Sequence, residues 1–168
     1  MAGEKYAFVW FGAKDENQTA TSKPEKILYG TNNKRDNLKF DKATDETGVW
    51  EPFMLPSFFD ATKGITATAV CHSAPTTGDF VLGFSLVGAA DSEDEDPAVS
   101  FTAFPAKAID GTSHDLTIVS KTVAYDAHGL TAGDFVFPAL KRDADNASDT
   151  LDSDLWVEGW GIKFEVTS

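Results

Sequence analysis

The segment DLWVEGWGIKFEV (154–166) places one acid, Glu158, between two tryptophans, Trp156 and Trp160. A carboxyl group in this setting could serve a glycosidase if a facing strand supplied a second carboxylate. The two tryptophans could instead form a platform on which a sugar ring stacks. Neither role is required by the pattern, and we interpret Glu158 first as a solvated acid between two aromatic side chains packed at a sheet edge.

The sequence shows no group of residues with the spacing needed for nucleophilic or metal-dependent catalysis. His72, His114 and His128 lack the spacing of a metal site. Cys71 is the one cysteine, so no intrachain disulfide can form, and its neighbours in TATAVCHS indicate a small buried hydrophobic residue. We therefore expect a protein that is not an enzyme and needs no cofactor.

One loop, RDADNASDTLDSD (142–154), leaves calcium open, because hard cations take oxygen ligands. Its candidate ligands are Asp143, Asp145, Asn146 and Asp149. The loop lacks the glycine and the closing glutamate of an EF-hand, and a solvated acidic loop explains the same residues. Calcium at this loop is therefore the alternative interpretation.

The elements that must position these residues are strands, because apolar residues alternate with period two and helical periodicity is nearly absent. The predicted strands cover residues 5–12, 26–30, 37–41, 49–55, 65–72, 80–86, 98–106, 114–125, 134–142 and 156–166. In the last strand, Trp156, Trp160 and Ile162 should share one apolar face. Pro138 predicts an edge or a bulge, since its ring cannot donate to a ladder. The fold class is an all-β antiparallel sandwich.

Gly-Asp-Phe-Val occurs twice, at 78–81 and 133–136. Glycine permits a backbone conformation that other residues resist, and aspartate can hydrogen-bond its local backbone, so each copy predicts a turn that delivers a strand. Two such turns in the two halves of the chain favour a jelly roll built from two Greek keys.

The N-terminal run YAFVWF contains four aromatic residues that are candidates for partner contact: Tyr6, Phe8, Trp10 and Phe11. It is either the first strand of the sandwich or an arm that reaches a neighbouring subunit. We accordingly divide the chain into an N-terminal arm or first strands, residues 1–36, and a jelly-roll domain, residues 37–168.

The composition limits the kinds of partner that the protein can bind. The 168 residues suit one domain, and the net charge of −13, with scattered basic residues, argues against nucleic acid. The apolar run near the start is too short for a signal peptide or a membrane span, so we expect synthesis in the cytoplasm and no membrane partner.

From residue 38 onward the pattern of turns and strands is a recurrent one. It comprises LKFDKATDETGVWEPFMLP (38–56), the stretch from Phe58 to Leu86 with its Thr-Thr-Gly turn, the acidic loop through Asp96, LTAGDFVFPALKRDADNASDT (130–150) and the closing strand. In these places the chain resembles a family of virion structural proteins of tailed, often marine, bacteriophages. The resemblance covers about 130 residues and contains no catalytic motif. Family members commonly carry Trp where Phe80 and Phe84 stand here.

The resemblance implies a jelly-roll component of the phage particle. We expect a capsid decoration (cement) protein on the outer head surface, with the major capsid protein and copies of itself, as a homotrimer, for partners. The alternative is a module of the tail or a fibre that binds a host glycan through Trp156 and Trp160. A glycosidase built on Glu158 is the third hypothesis.

Overall fold

Alternating apolar side chains build two antiparallel sheets whose inner faces pack against each other. The computed structural model describes residues 5–17, 22–94 and 96–167. Strands make up 49% of the structure and helices 4%, so the predicted all-β class is confirmed. Within the described ranges, no helix combines the length and the apolar character needed to span a bilayer.

In chain order the strands are β1 (Tyr6–Gly12), β2 (Glu16–Asn17), β3 (Glu25–Tyr29), β4 (Arg35–Phe40), β5 (Glu46–Trp50), β6 (Phe53–Met54), β7 (Ile65–His72), β8 (Asp79–Phe80), β9 (Leu82–Ala89), β10 (Thr102–Ala103), β11 (Lys107–Ala108), β12 (Thr117–Val123), β13 (Phe135–Arg142) and β14 (Leu155–Glu165). A 3-10 turn (Ala13–Asp15) follows β1, and a short helix, α1 (Tyr125–His128), follows β12.

The first sheet has the order β12-β7-β14-β4-β3, and β1 pairs with the remaining length of β14. The second sheet has the order β10-β9-β13-β5-β2, with β6 also paired to β13. β8 and β11 form a separate two-stranded sheet. The chain crosses between the two large sheets after β1, β2, β4, β6, β12 and β13, and crosses through β8 between β7 and β9 and through β11 between β10 and β12, which is the alternation of a jelly roll. The predicted jelly-roll sandwich is therefore confirmed.

The aromatic interior lies between the sheets. Its largest fully buried apolar side chains include Trp160, Phe40, Phe80 and Phe164. Each such side chain contributes about 1.5–3 kcal/mol through removal from water. The thiol of Cys71 is buried in the same core, and burial raises its pKa, so the prediction of an inert small hydrophobic residue is confirmed.

The prediction that Trp156 and Trp160 share one face is wrong. The register of β14 against β7 shifts between Val157 and Gly159, leaving Glu158 as the extra residue of a β-bulge. An extra residue reverses the alternation beyond it. Val157 therefore points inward before the bulge and Trp160 points inward after it, whereas Trp156 lies on the outer face.

Pro138, predicted at an edge or a bulge, lies in an interior strand next to an irregularity of the ladder, so only the edge alternative is wrong. It pairs with Leu86 of β9, and on its other side the ladder is interrupted: β6 reaches only Phe135 and Val136, and β5 begins at Ala139. The interior strand β13 accommodates a proline because its missing donor falls at this gap between two short strands.

Two predicted strands are shorter than expected. Residues 98–106 contribute only β10, and the segment 49–55 is divided into β5 and β6. Prolines account for both results, because Pro97 precedes the first segment, Pro105 lies within it and Pro52 interrupts the second, and none can donate to a ladder.

The N-terminal segment is part of the sandwich. β1 pairs with β14, β2 with β5 and β3 with β4, so these strands belong to the same two sheets as the later strands, and the division after residue 36 stays a prediction. Ala7, Val9 and Phe11 face the core. Within one protomer, YAFVWF is therefore a strand of the sandwich, as the first of its two interpretations predicts.

Both Gly-Asp-Phe-Val segments form the predicted turns. Gly78 and Gly133 have positive φ angles of 107° and 91°. In the second copy the Asp134 carboxylate accepts hydrogen bonds from the amide and the hydroxyl of Thr131, both at 2.7 Å. The repeat is architectural.

Candidate functional site

Three aromatic side chains of β1 point away from the core on the outer face of the first sheet. Tyr6, Phe8 and Trp10 are 46%, 57% and 45% exposed. The rings of Phe8 and Trp10 stack with centroids 6.1 Å apart, and the Lys163 ammonium lies 4.2 Å from the centre of the Tyr6 ring. We call these three residues the aromatic row; exposed aromatic side chains in such a group are typical of binding surfaces.

Two glycines of β14 provide the space that the aromatic row occupies. A methyl group added at Gly159 would lie 2.7 Å from Trp10 Cζ2, and one added at Gly161 would lie 2.7 Å from Phe8 Cζ and 3.0 Å from Trp10 Cε3. No larger residue fits beneath these rings. The glycines therefore hold Phe8 and Trp10 against the sheet, with the remaining ring surface toward solvent.

Beside the aromatic row lies a cleft of about 340 Å³, which we call the charged cleft. It is lined by Trp10, Gly12, Ala13, Lys14, Asp15, Arg35, Asp36 and Glu158. The bulge turns Glu158 toward β4, where its carboxylate accepts a hydrogen bond from the Arg35 guanidinium. The cleft thus combines one exposed indole with a set of hydrogen-bonding charges.

On the other side of this ion pair four rings form what we call the ring cluster: Tyr29, His72, His114 and Trp156. His114 lies parallel to Trp156, with an interplanar angle of 8° and a centroid distance of 4.8 Å. Tyr29 packs 4.9 Å from Trp156. Within the cluster His72 is fully buried, and the other three side chains are half-buried.

A hydrogen-bond chain supports the ring cluster from below. Asn37 Nδ2 donates to the Arg35 carbonyl, which turns Asn37 Oδ1 toward His72 Nε2 at 3.1 Å. Burial, with His114 and Arg35 nearby, lowers the pKa of His72 to about 4, so the imidazole is neutral near pH 7. His72 Nε2 then carries the proton and donates a hydrogen bond to Asn37 Oδ1.

The structure brings some of the predicted site residues together and separates others. Tyr6, Phe8 and Trp10 share the outer face, and Trp156 lies on the same face. Phe11 and Trp160 do not, since they are 6% and 0% exposed and pack against each other with centroids 4.6 Å apart. The predicted contact roles of Phe11 and Trp160 are therefore corrected to core roles.

The acidic loop 142–154 is organised by Arg142. This fully buried side chain donates to both carboxylate oxygens of Asp149, at 2.9 and 3.1 Å, and to the carbonyls of Asp41, Leu151 and Ser153. Of the other proposed calcium ligands, Asp143 binds Lys141 and Asn146. In the described part of the chain no group of three or more His, Cys, Asp or Glu side chains is placed to hold a metal ion.

A second cleft, of about 300 Å³, opens between the sheets near α1. Its walls include Phe84, Leu86, Val123 and His128. Both ring nitrogens of His128 are used by the backbone: Nε2 lies 3.0 Å from the Lys63 carbonyl, and Nδ1 accepts from the Leu130 amide. Unlike the charged cleft, this cleft has no Asp, Glu, Lys or Arg side chain in its lining.

Residues that sequence reasoning missed are Arg35, Asp36, Tyr29 and the pair His72 and His114. They come from three separate segments of the chain. The local signals for the site were the alternation of aromatic residues at positions 6, 8 and 10 and the neighbouring Trp156 and Glu158.

No family model and no curated protein matches the chain. Among solved structures the fold is similar to the C-terminal CBM6 of LamC, a marine laminarinase from Zobellia galactanivorans, with a TM-score of 0.51 and 14% identity over 93% of this chain and 98% of that one. It is also similar to the CBM22-2 xylan-binding domain of Paenibacillus barcinonensis Xyn10C, with a TM-score of 0.51 and 12% identity over 91% and 92% of the two chains. At these identities the likeness establishes the β-sandwich fold.

Proposed function

We propose that this chain is a non-catalytic carbohydrate-binding β-sandwich, and that the outer face of its first sheet holds the glycan. The observation that carries the proposal is the charged cleft: an indole fixed over two glycines beside a pair of hydrogen-bonding charges. Both similar domains are carbohydrate-binding modules by name, which supports the same assignment.

The aromatic row supplies the apolar half of sugar recognition. A pyranose presents C–H groups on its faces and hydroxyls around its rim, so an exposed ring can cover the first while polar groups meet the second. The exposed half of the Trp10 ring would contribute about 1–1.5 kcal/mol when a sugar covers it.

The polar half comes from Arg35 and Glu158. The guanidinium offers only donors and the carboxylate only acceptors. A sugar hydroxyl can therefore accept a hydrogen bond from Arg35 and donate one to Glu158. Hydrogen bonds to charged groups are worth about 1.5–3 kcal/mol each. Because the two side chains already hold each other in place, little additional ordering is needed on binding.

The test is binding of the purified chain to a panel of polysaccharides that includes laminarin and xylan, measured by affinity electrophoresis and calorimetry. Trp10→Ala should weaken binding about 5–10-fold, which corresponds to about 1–1.5 kcal/mol. The matched control is Phe135→Ala, since Phe135 is a ring of the second sheet with a similar exposed fraction of 42%. Binding to no polysaccharide, or equal losses in the two variants, would refute the proposal.

The place of the chain in a phage particle, with the major capsid protein and a homotrimer as expected partners, stays a prediction. The alternative position on a tail or fibre is the one that a glycan-binding face favours. Copy number per purified particle separates the two positions: a shell protein is present in hundreds of copies and a tail protein in few.

A further inference from the structure

We propose that the glycan-binding face has two subsites, the charged cleft and the ring cluster, and that it therefore binds a stretch of a neutral glycan chain rather than a single sugar. The inference rests on the proposed function and deepens it. The two subsites lie on either side of the Arg35–Glu158 ion pair, so one ligand can contact both.

The separation of the subsites sets the length of the ligand. Trp10 pairs with Gly161, five positions after Trp156 on β14, and the bulge at Glu158 removes one position from the regular rise. Four positions at about 3.4 Å each give roughly 14 Å between the two backbone positions. A single pyranose ring does not span this distance, whereas an oligosaccharide lying along β14 does.

The ring cluster has its own polar group for a sugar hydroxyl. Because His72 Nε2 donates to Asn37, His72 Nδ1 is an acceptor, and it faces His114 Nδ1 at 3.4 Å. In the neutral tautomer of His114 that donates from Nδ1 to this acceptor, Nε2 is an acceptor. A half-buried ring with one free acceptor, stacked on Trp156, suits a hydroxyl donor of a bound sugar.

The backbone of His114 is strained, and strained residues cluster at functional sites. Its φ angle is 64°, in the left-handed region that costs a non-glycine residue about 1 kcal/mol or more. The conformation is held by the His114 amide, which donates to the Ser73 carbonyl at 2.9 Å. It is this conformation that brings the imidazole onto Trp156.

The charge of the cleft disfavours anionic chains. The charged cleft has three acids, Asp15, Asp36 and Glu158, against two bases, Lys14 and Arg35. The whole chain carries a net charge of −13. A sulfated or uronic-acid chain would be repelled, and this repulsion falls as salt screens it.

The experiment uses a ladder of oligosaccharides, from the disaccharide upward, made from a neutral polysaccharide that the wild-type protein binds. Affinity should rise with length. Trp156→Ala should weaken the longest oligosaccharide about 5–10-fold and so reduce the gain in affinity with length, whereas Trp10→Ala should weaken the disaccharide and the longest oligosaccharide alike. A second variant, His114→Asn, tolerates the left-handed conformation but removes the ring, and it should reproduce the Trp156→Ala pattern.

Two results would overturn the inference while leaving carbohydrate binding intact. One is affinity that depends on Trp10 but is the same for every length. The other is a long oligosaccharide that binds equally well to wild type, Trp156→Ala and His114→Asn, all of them folded by circular dichroism. A sulfated derivative of the same polysaccharide that binds as tightly at low salt would refute the selection for neutral chains.

Discussion

Lowering the pH from 7 to 5 should destabilise this fold through His72. The imidazole is fully buried, and burial, together with the neighbouring His114 and Arg35, lowers its pKa to about 4. In the unfolded chain the same group has a pKa of about 6.5. Between these values the unfolded state binds the proton and the folded state does not, so the stability present above pH 6.5 is lost as the pH falls toward 4.

The size of the loss follows from the two pKa values of His72. At pH 5 the unfolded imidazole is almost fully protonated, whereas the folded one is mostly neutral. Linkage then gives a decrease of about 2 kcal/mol in the free energy of unfolding relative to pH 7. Below pH 4 the full loss from this group reaches about 3 kcal/mol, at 1.36 kcal/mol for each pKa unit.

Urea unfolding at pH 7 and pH 5 measures this loss. In His72→Gln the amide can still donate to Asn37 but does not titrate, so the variant should lose about 2 kcal/mol less than wild type between the two pH values. The control is Val119→Ala, a core change without a titrating group, which should be less stable at both pH values and show the wild-type difference. Equal pH dependence in wild type and His72→Gln would refute the assignment.

Two further substitutions test the framework of the site. Gly161→Ala places a methyl group 2.6 Å from the Val9 carbonyl, so it should cost about 1–3 kcal/mol in urea unfolding, whereas Gly111→Ala, with nothing within 4 Å, should be near neutral; equal effects would contradict the packing of β1 on β14. Arg142→Met leaves the buried Asp149 carboxylate without its partner and should cost about 3–5 kcal/mol by the same assay, and a loss below 1 kcal/mol would mean that the buried pair does not hold the loop.

The sandwich could be predicted from the sequence because its determinants are local. Alternation of apolar residues depends on neighbouring positions of one strand, and the Gly-Asp turns depend on the backbone freedom of Gly78 and Gly133. Both kinds of signal are present within a few residues. The resulting prediction covered the fold class and most strand positions.

The binding face could not be predicted in the same way, because its residues meet only through pairing across strands. Arg35 reaches Glu158 over 123 positions of the chain. Tyr29 reaches His114 because β3 pairs with β4, β4 with β14 and β14 with β7, after which the Ser73 carbonyl holds His114. No local pattern records such contacts. The sequence did contain the outward alternation of Tyr6, Phe8 and Trp10, which the structure places on this face.

The bulge at Glu158 explains why the two predicted contact residues Trp156 and Trp160 lie on opposite faces of the first sheet. If the same sequence formed a regular strand with no bulge, Trp156 and Trp160 would point to the same side. With it, Trp160 packs beneath Phe11 and supports β1 from inside, while Glu158 turns outward to Arg35. The small residues after the bulge then leave room for Trp10. The inserted residue thus places Trp160 in the core and leaves Trp156 and Glu158 on the binding face. The contact of Trp160 with Phe11 in turn holds β1, the strand that carries the exposed rings.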